Sequence, residues 1–240
     1  MTGINSRIDF ATKIDWNENR KLLKVEFPTI VSSSFGTYEI QYGHLKRPTH
    51  YNTSWDVAQF EVCAQKFVDL SEFGYGVSLL NNGKHGHNIH DGVITLSILK
   101  APKAPDENCD IGKHEFKYSL FPHLDSFQDS GVIQEAYNLN SPLTLISGNF
   151  DSKSFIFVDK KNIIVESIKK SEDDDDIIVR LYEAFGGHVK TNIQFNFDLF
   201  KKVFQCNMLE FEMNEFKLNE KNQIDVSFKP FEIITLKLKK

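Results

Sequence analysis

The sequence predicts an all-β chain of the sandwich type. Three observations carry that expectation. Where the chain is apolar, the apolar residues mostly recur with a period of two. Phe, which favours strands, occurs 21 times in 240 residues. No long run keeps the 3.6-residue period of an amphipathic helix.

The elements follow in order. Residues 7–15 alternate, with Ile8, Phe10, Thr12 and Ile14 inward. Residues 22–28 and 36–43 repeat that period. Turn chemistry separates these runs: Asp15–Arg20 with two asparagines, then Ser32–Ser34. Short strands bounded in this way mark a β-sandwich. Residues 57–70 read as one long strand, with Phe60, Val62, Ala64, Val68 and Leu70 on the apolar face. Glu61, Gln65 and Asp69 take the other face, and Lys66 marks a bend or bulge. Trp55, just before this strand, is expected in the core. Arg47 is expected to pin the Pro48 turn through a carboxylate such as Asp56.

Val77–Leu80 and Val93–Leu99 read as a hairpin whose tip spans residues 81–92. That tip is longer than a chain reversal requires, which suggests a second purpose. Gly112–Pro122 supplies another strand, through His114, Phe116, Tyr118 and Leu120. Gly131–Leu139 is the one helical or irregular crossover. Further strands are expected at 155–158, 162–168 and 177–184. The like charges of 169–176 belong at a solvated turn, since the ligand alternation and glycine of a calcium loop are absent. Thr191–Phe197, Met208–Leu218, Ile224–Phe228 and Ile233–Leu238 complete the set, with Pro230 at an edge or a break. Gly186-Gly187 suggests a boundary, dividing the chain into 1–187 and 188–240.

Composition narrows the function. The formal net charge is −5 and no basic block stands out, which argues against nucleic acid as a partner. The apolar runs are too short for a membrane span, and residues 1–20 lack the apolar stretch of a signal peptide. Cys63, Cys109 and Cys206 are odd in number and far apart, which fits a reducing compartment and no thiolate zinc site. The Asn52-Thr53-Ser54 sequon is read as coincidental on that basis.

Generic enzyme motifs are absent: no Gly-x-Ser-x-Gly, no Walker loop, no dinucleotide glycine fingerprint and no His-Glu-x-x-His. The spacing His85-x-His87-x-x-His90 is the best metal candidate, but spacing alone favours three exposed histidines on a polar hairpin. Asp56 with Glu61, and Asp69 with Glu72, are paired carboxylates of the sort a glycosidase needs across a cleft. Acidic residues at alternate strand positions are also simply a solvent face.

A longer pattern is more specific. Arg47-Pro-Thr-His-x-Asn-Thr-Ser-Trp-Asp, Phe60-Glu-Val-Cys-Ala and Asp69-Leu-Ser-Glu-x-Gly-Tyr-Gly-Val are followed by Leu79-Leu-Asn and Leu99-Lys-Ala-Pro-Lys-Ala-Pro. Gly112-x-His-Glu-Phe-x-Tyr, Pro122-His, Glu166-Ser-Ile-Lys-Lys-Ser-Glu-Asp, Val179-Arg-Leu-Tyr-Glu-Ala and Pro230-Phe-Glu-Ile-Ile-Thr-Leu-Lys-Leu continue it. Together these resemble the C-terminal region of class II α-mannosidases, glycoside hydrolase family 38, and within it the cytosolic and vacuolar branch. The resemblance implies part of a large β-sandwich, N-terminally incomplete, followed by a small terminal β-sandwich. It implies a retaining hydrolase of α-mannosidic bonds, whose zinc ion and catalytic carboxylates lie in an N-terminal barrel outside this chain.

No bound zinc is therefore expected here, and no catalytic residue is assigned. The resemblance places Asn81, Asn82, Lys84 and His85 on a hairpin that contacts substrate or the catalytic domain. Expected partners are α-mannoside glycans through the parent enzyme, its catalytic domain or chain, and further copies in a homo-oligomer. The expected compartment is the cytoplasm, or the vacuole or lysosome by import. A non-catalytic carbohydrate-binding or assembly module is the alternative reading. The sequence departs from the family pattern at Asn82, where Asp is common, and at Phe67, where Trp is frequent. It also lacks the aromatic residues the family commonly has near His85 and His87.

Overall fold

The structure is a computed structural model that describes residues 6–149, 151–196 and 200–240. Contacts divide the chain into two compact units, one ending at Leu145 and the other beginning at Ile146.

The first unit contains β1 (Ile8–Trp16), β2 (Leu22–Pro28), β3 (Phe35–Ile40), β4 (Gly43–Pro48), α1 (Ser54–Ala58), β5 (Val62–Cys63), β6 (Phe67–Glu72) and β7 (Tyr75–Asn81). It continues through β8 (Gly86–His90), β9 (Val93–Lys100), β10 (Gly112–Leu124) and α2 (Val132–Asn140). Its strands form an antiparallel six-stranded sheet, ordered β1-β10-β7-β6-β3-β4, and a four-stranded sheet, ordered β2-β9-β8-β5. Tyr38, Val68, Leu70, Val77 and Leu79 from the larger sheet share one core with Ile89, Ile94, Leu96 and Ile98 from the smaller. That shared core makes the unit a sandwich.

The helix α2 contributes Val132, Ile133, Ala136 and Leu139 as buried residues and packs on β6 and β7. Those two strands are consequently covered on both faces: Phe67–Leu70 and Gly76–Asn81 are all buried. A strand buried on both sides loses its alternation and reads as a continuous apolar run.

Several sequence expectations change here. Residues 57–70 are not one strand. The Thr53 hydroxyl accepts the Asp56 amide and the Asp56 carboxylate accepts the Thr53 amide, a capping box that starts α1 instead. Trp55 is consequently 80% exposed rather than core. Arg47 bonds Gln59 (3.0 Å) and lies over the Tyr38 ring, while Asp56 caps the helix. The expected break at Lys66 is real: β5 and β6 belong to different sheets on either side of it.

The runs at 77–80 and 93–99 are not hairpin partners either. β7 pairs with β6 and β10, whereas β9 pairs with β2 and β8. The chain passes from one sheet to the other between Asn81 and Gly86. The true tight hairpin joins β8 to β9 through Asp91-Gly92, both at positive φ, where His90 faces Val93.

The second unit holds β11 (Ile156–Val158), β12 (Ile163–Lys170), β13 (Ile177–Glu183), β14 (Val189–Phe195), β15 (Lys202–Cys206), β16 (Glu212–Phe216), β17 (Gln223–Phe228) and β18 (Ile233–Lys239). Two antiparallel sheets, β11-β14-β17 and β12-β13-β18-β15-β16, share the core of Val179, Leu181, Ile193, Val226 and Leu236. Of the strand expected at 191–197, the last position lies outside the described residues. The strand expected at 208–218 is displaced: β15 precedes it, residues 207–211 turn, and β16 follows.

Gly186-Gly187 does not coincide with the division between units. Both amides donate to the buried Glu183 carboxylate (2.8 and 3.0 Å), so these glycines form a turn tied to β13. β13 in turn pairs with β18, which keeps residues 163–183 in the unit that ends the chain.

Candidate functional site

The sheet-to-sheet crossing at 81–86 brings the four predicted residues together, in two different roles. Asn81 is fully buried. Its side-chain amide donates to the Gln65 carbonyl (2.6 Å), and its side-chain oxygen accepts the Lys84 amide (2.8 Å). Its backbone N–H donates to Lys66 O (3.0 Å), and its backbone oxygen accepts from Asn140 at the end of α2 (2.9 Å). Asn81 therefore holds the crossing from beneath and does not face a ligand.

The other three face outward. Asn82 is exposed, with its backbone N–H bonded to Lys117 O (3.2 Å). Lys84 carries its ammonium 5.0 Å from the centroid of the Phe116 ring, a cation–π contact. His85 is exposed, with Nδ1 3.1 Å from the Ala64 carbonyl. A carbonyl can only accept, so Nδ1 is the donor in this contact, which fixes the orientation of the ring.

His87 corrects the reading of three exposed histidines. It is fully buried, with Nε2 3.2 Å from the Asn81 side-chain nitrogen. Burial first, then the neighbouring His85, pushes its pKa down to about 3. His90 stacks on Tyr51 at 3.8 Å between centroids. The three imidazoles do not converge, and no group of three or more His, Cys, Asp or Glu among the described residues is arranged to hold a metal. These residues do not fit a zinc centre.

The paired carboxylates are likewise taken up structurally. Glu61 accepts the Ser97 hydroxyl and pairs with Lys24 (3.4 Å), and Glu72 accepts the Ser32 amide (2.6 Å). Asp69, expected on a solvent face, is 1% exposed. It accepts from Ser71 (2.6 Å) and Ser78 (2.7 Å), and meets His123 Nε2 at 2.8 Å. The cluster closes over Gly76, where a Cβ would sit 2.5 Å from His123 Cε1. Both serine hydroxyls bond Asp69, so no serine is aimed at the imidazole as a nucleophile would be.

Beside Asn82 lies a cleft of about 490 Å³, lined by Arg7, Asp9, Lys13, Glu115, Lys117 and Asn138 among others. Sequence reasoning missed these residues. Their only signal is the outward register of β1 and β10, in which Lys13 faces Glu115. It also missed Asn140, which nothing but the fold connects to Asn81.

The geometry is that of a β-sandwich region presenting a braced polar loop. The same fold occurs in an α-mannosidase from Enterococcus faecalis V583, at a TM-score of 0.80 and 20% identity, over 97% of this chain and 27% of that one. Residues 4–108 match the glycosyl hydrolases family 38 C-terminal domain, and residues 162–236 match that family's C-terminal beta sandwich domain. The chain belongs to the C-terminal region of glycosyl hydrolase family 38. It is 44% identical to α-mannosidase G of Dictyostelium discoideum, over 97% of this chain and 22% of that protein. It is 44% identical to human α-mannosidase 2C1, over 96% of the chain and 23% of that protein, and 38% identical to α-mannosidase of Saccharomyces cerevisiae, over 97% and 24%. The chain thus spans about a quarter of the length of these relatives.

Proposed function

We propose that this chain serves a retaining α-mannosidase as its C-terminal β portion, and that Asn82, Lys84 and His85 contact the mannoside or the catalytic portion. The observation that carries this reading is the bracing of the crossing by Asn81. Four backbone and side-chain bonds from one buried residue hold an otherwise polar loop in a single shape. Amide, ammonium and imidazole groups held outward suit sugar hydroxyls, each of which needs a partner once buried. The covalent and acid/base steps belong to carboxylates outside this chain, as does the zinc ion that the family resemblance implies. The three free cysteines support a reducing, cytoplasmic setting for the whole enzyme, with import to a vacuole or lysosome as the other route. Among the described residues no helix is long and apolar enough to cross a membrane.

The test is hydrolysis of an aryl α-mannoside by the purified chain, with and without added zinc. No turnover is expected under either condition. Zinc-dependent turnover by the chain alone would overturn the reading. The cleft beside Asn82 favours a second reading, a carbohydrate-binding module without catalysis. Millimolar binding of mannose or a mannobiose to the isolated chain by calorimetry, lost in Asn82→Ala, would establish it.

A further inference from the structure

The segment that joins β4 to β5 is folded outward. In α1 no residue is buried, and the helix is held by its own Thr53–Asp56 capping box rather than by packing. Trp55 is 80% exposed, Val57 51% and Phe60 66%. Aromatic side chains bury roughly 150–250 Å² each, so Trp55 and Phe60 together leave on the order of 300 Å² of apolar surface in water. That is of the order of the largest apolar patch on an ordinary monomer, gathered here within six residues, and such patches are often functional.

The two ends of the segment are nevertheless tied to the sandwich. Tyr51 stacks on His90, and its hydroxyl accepts from the Asn88 side chain (3.1 Å). Gln59 is bonded to Arg47 (3.0 Å). Beyond Phe60 the chain runs directly into β5, where Val62 pairs with His87 and Cys63 with Gly86. The exposed rings therefore lead, by three residues and one ladder, to the loop that carries Lys84 and His85. An exposed aromatic surface beside a polar loop, anchored at both ends, has the make-up of an interface hot spot.

From this continuity, and from relatives about four times the length of this chain, we infer that Trp55, Val57 and Phe60 dock onto the catalytic portion of the same α-mannosidase. The inference rests on the reading of the chain as a C-terminal portion. It adds the surface by which that portion is held against the part that carries the chemistry.

The test uses the native enzyme or complex containing this chain, with a photo-cross-linking phenylalanine analogue at position 55. Cross-linked peptides are mapped by mass spectrometry, and aryl α-mannoside turnover is measured on the same preparation. Cross-links to sequence outside these 240 residues, in an active preparation, are expected. Cross-links to a second copy of this chain, or none in an active preparation, would overturn the inference and leave the α-mannosidase reading standing. An inactive preparation cross-linked to an unrelated protein would overturn both. As a second measurement, Trp55→Glu should leave the melting temperature of the isolated chain unchanged within about 1 °C, since Trp55 has no place in its core. The same substitution should weaken retention of the chain in the assembly at least tenfold. Equal retention of wild type and variant would overturn the inference.

Discussion

Asn81 and His87 show how one buried pair converts a polar stretch into a fixed scaffold. His87 is neutral when folded, its pKa lowered to about 3 by burial, against an ordinary value of 6.5. The unfolded chain therefore binds the extra proton first as pH falls. The stability this group contributes is fully present above pH 6.5 and is lost as pH drops toward 3. Urea titrations between pH 7 and 4 should show the midpoint falling with pH, and His87→Gln should flatten that fall. A parallel slope in the two proteins would dismiss the assignment. Asn81→Ala leaves the Gln65 carbonyl, the Lys84 amide and His87 Nε2 without their partner. It should cost roughly 3 kcal/mol by the penalty for orphaned buried groups, read as a shift in the urea midpoint at constant slope.

The identity of Asn81 as a loop residue of interest was legible in the sequence, but its role was not. A buried asparagine and an exposed one look alike in a polar run. What separates them is Gln65 and Asn140, which are distant in sequence and brought close only by the fold.

At the scale of elements, the strands that border solvent on one face were readable. β1 alternates intermediate and exposed residues along nearly its whole length, as its sequence predicts. What failed is the extent and pairing of elements with two covered faces or with competing local chemistry, although Val77–Leu80 is a strand as expected. β6 and β7 lie between the sandwich core and α2, so alternation vanishes. The strand start expected at residue 57 falls inside α1 instead, because the Thr53–Asp56 capping box selects a helix. The Gly186-Gly187 pair looks like a linker in sequence and is an anion-binding turn in the fold. Glu183 accepts five hydrogen bonds there, from Asn162 and from the amides of Phe185, Gly186, Gly187 and Phe231. Glu183→Gln turns one acceptor oxygen into a donor facing those amides. It should destabilise the second unit by roughly 3 kcal/mol, judged from the worth of charge-assisted bonds and the cost of a buried mismatch, with chemical denaturation as the readout.

At the scale of the whole molecule, the sandwich class and the family were both legible, the first from periodicity and the second from the long pattern beginning at Arg47. The division between units was not, because pairing of strands distant in sequence decides it: β13 belongs with β18. The proposed function makes its own prediction. In the native assembly, Lys84→Ala and His85→Ala should each lower kcat/KM for an aryl α-mannoside by about tenfold, the loss of one or two polar contacts. The melting temperature of the isolated chain should fall by no more than about 4 °C, the worth of one cation–π contact or one hydrogen bond. A fall in stability without a change in kcat/KM would reassign both residues to support of the loop.

The passage from one sheet to the other at residues 81–86 has a practical consequence. Its backbone path is settled by Asn81, Gln65, Lys66, Lys117 and Asn140, none of which needs the side chains of Asn82, Lys84 or His85. Asn82 is the freest of the three, since the His85 ring also bonds the Ala64 carbonyl and Lys84 lies on the Phe116 ring. A library varied at Asn82 would therefore change the chemistry of the loop while sparing the backbone path beneath it.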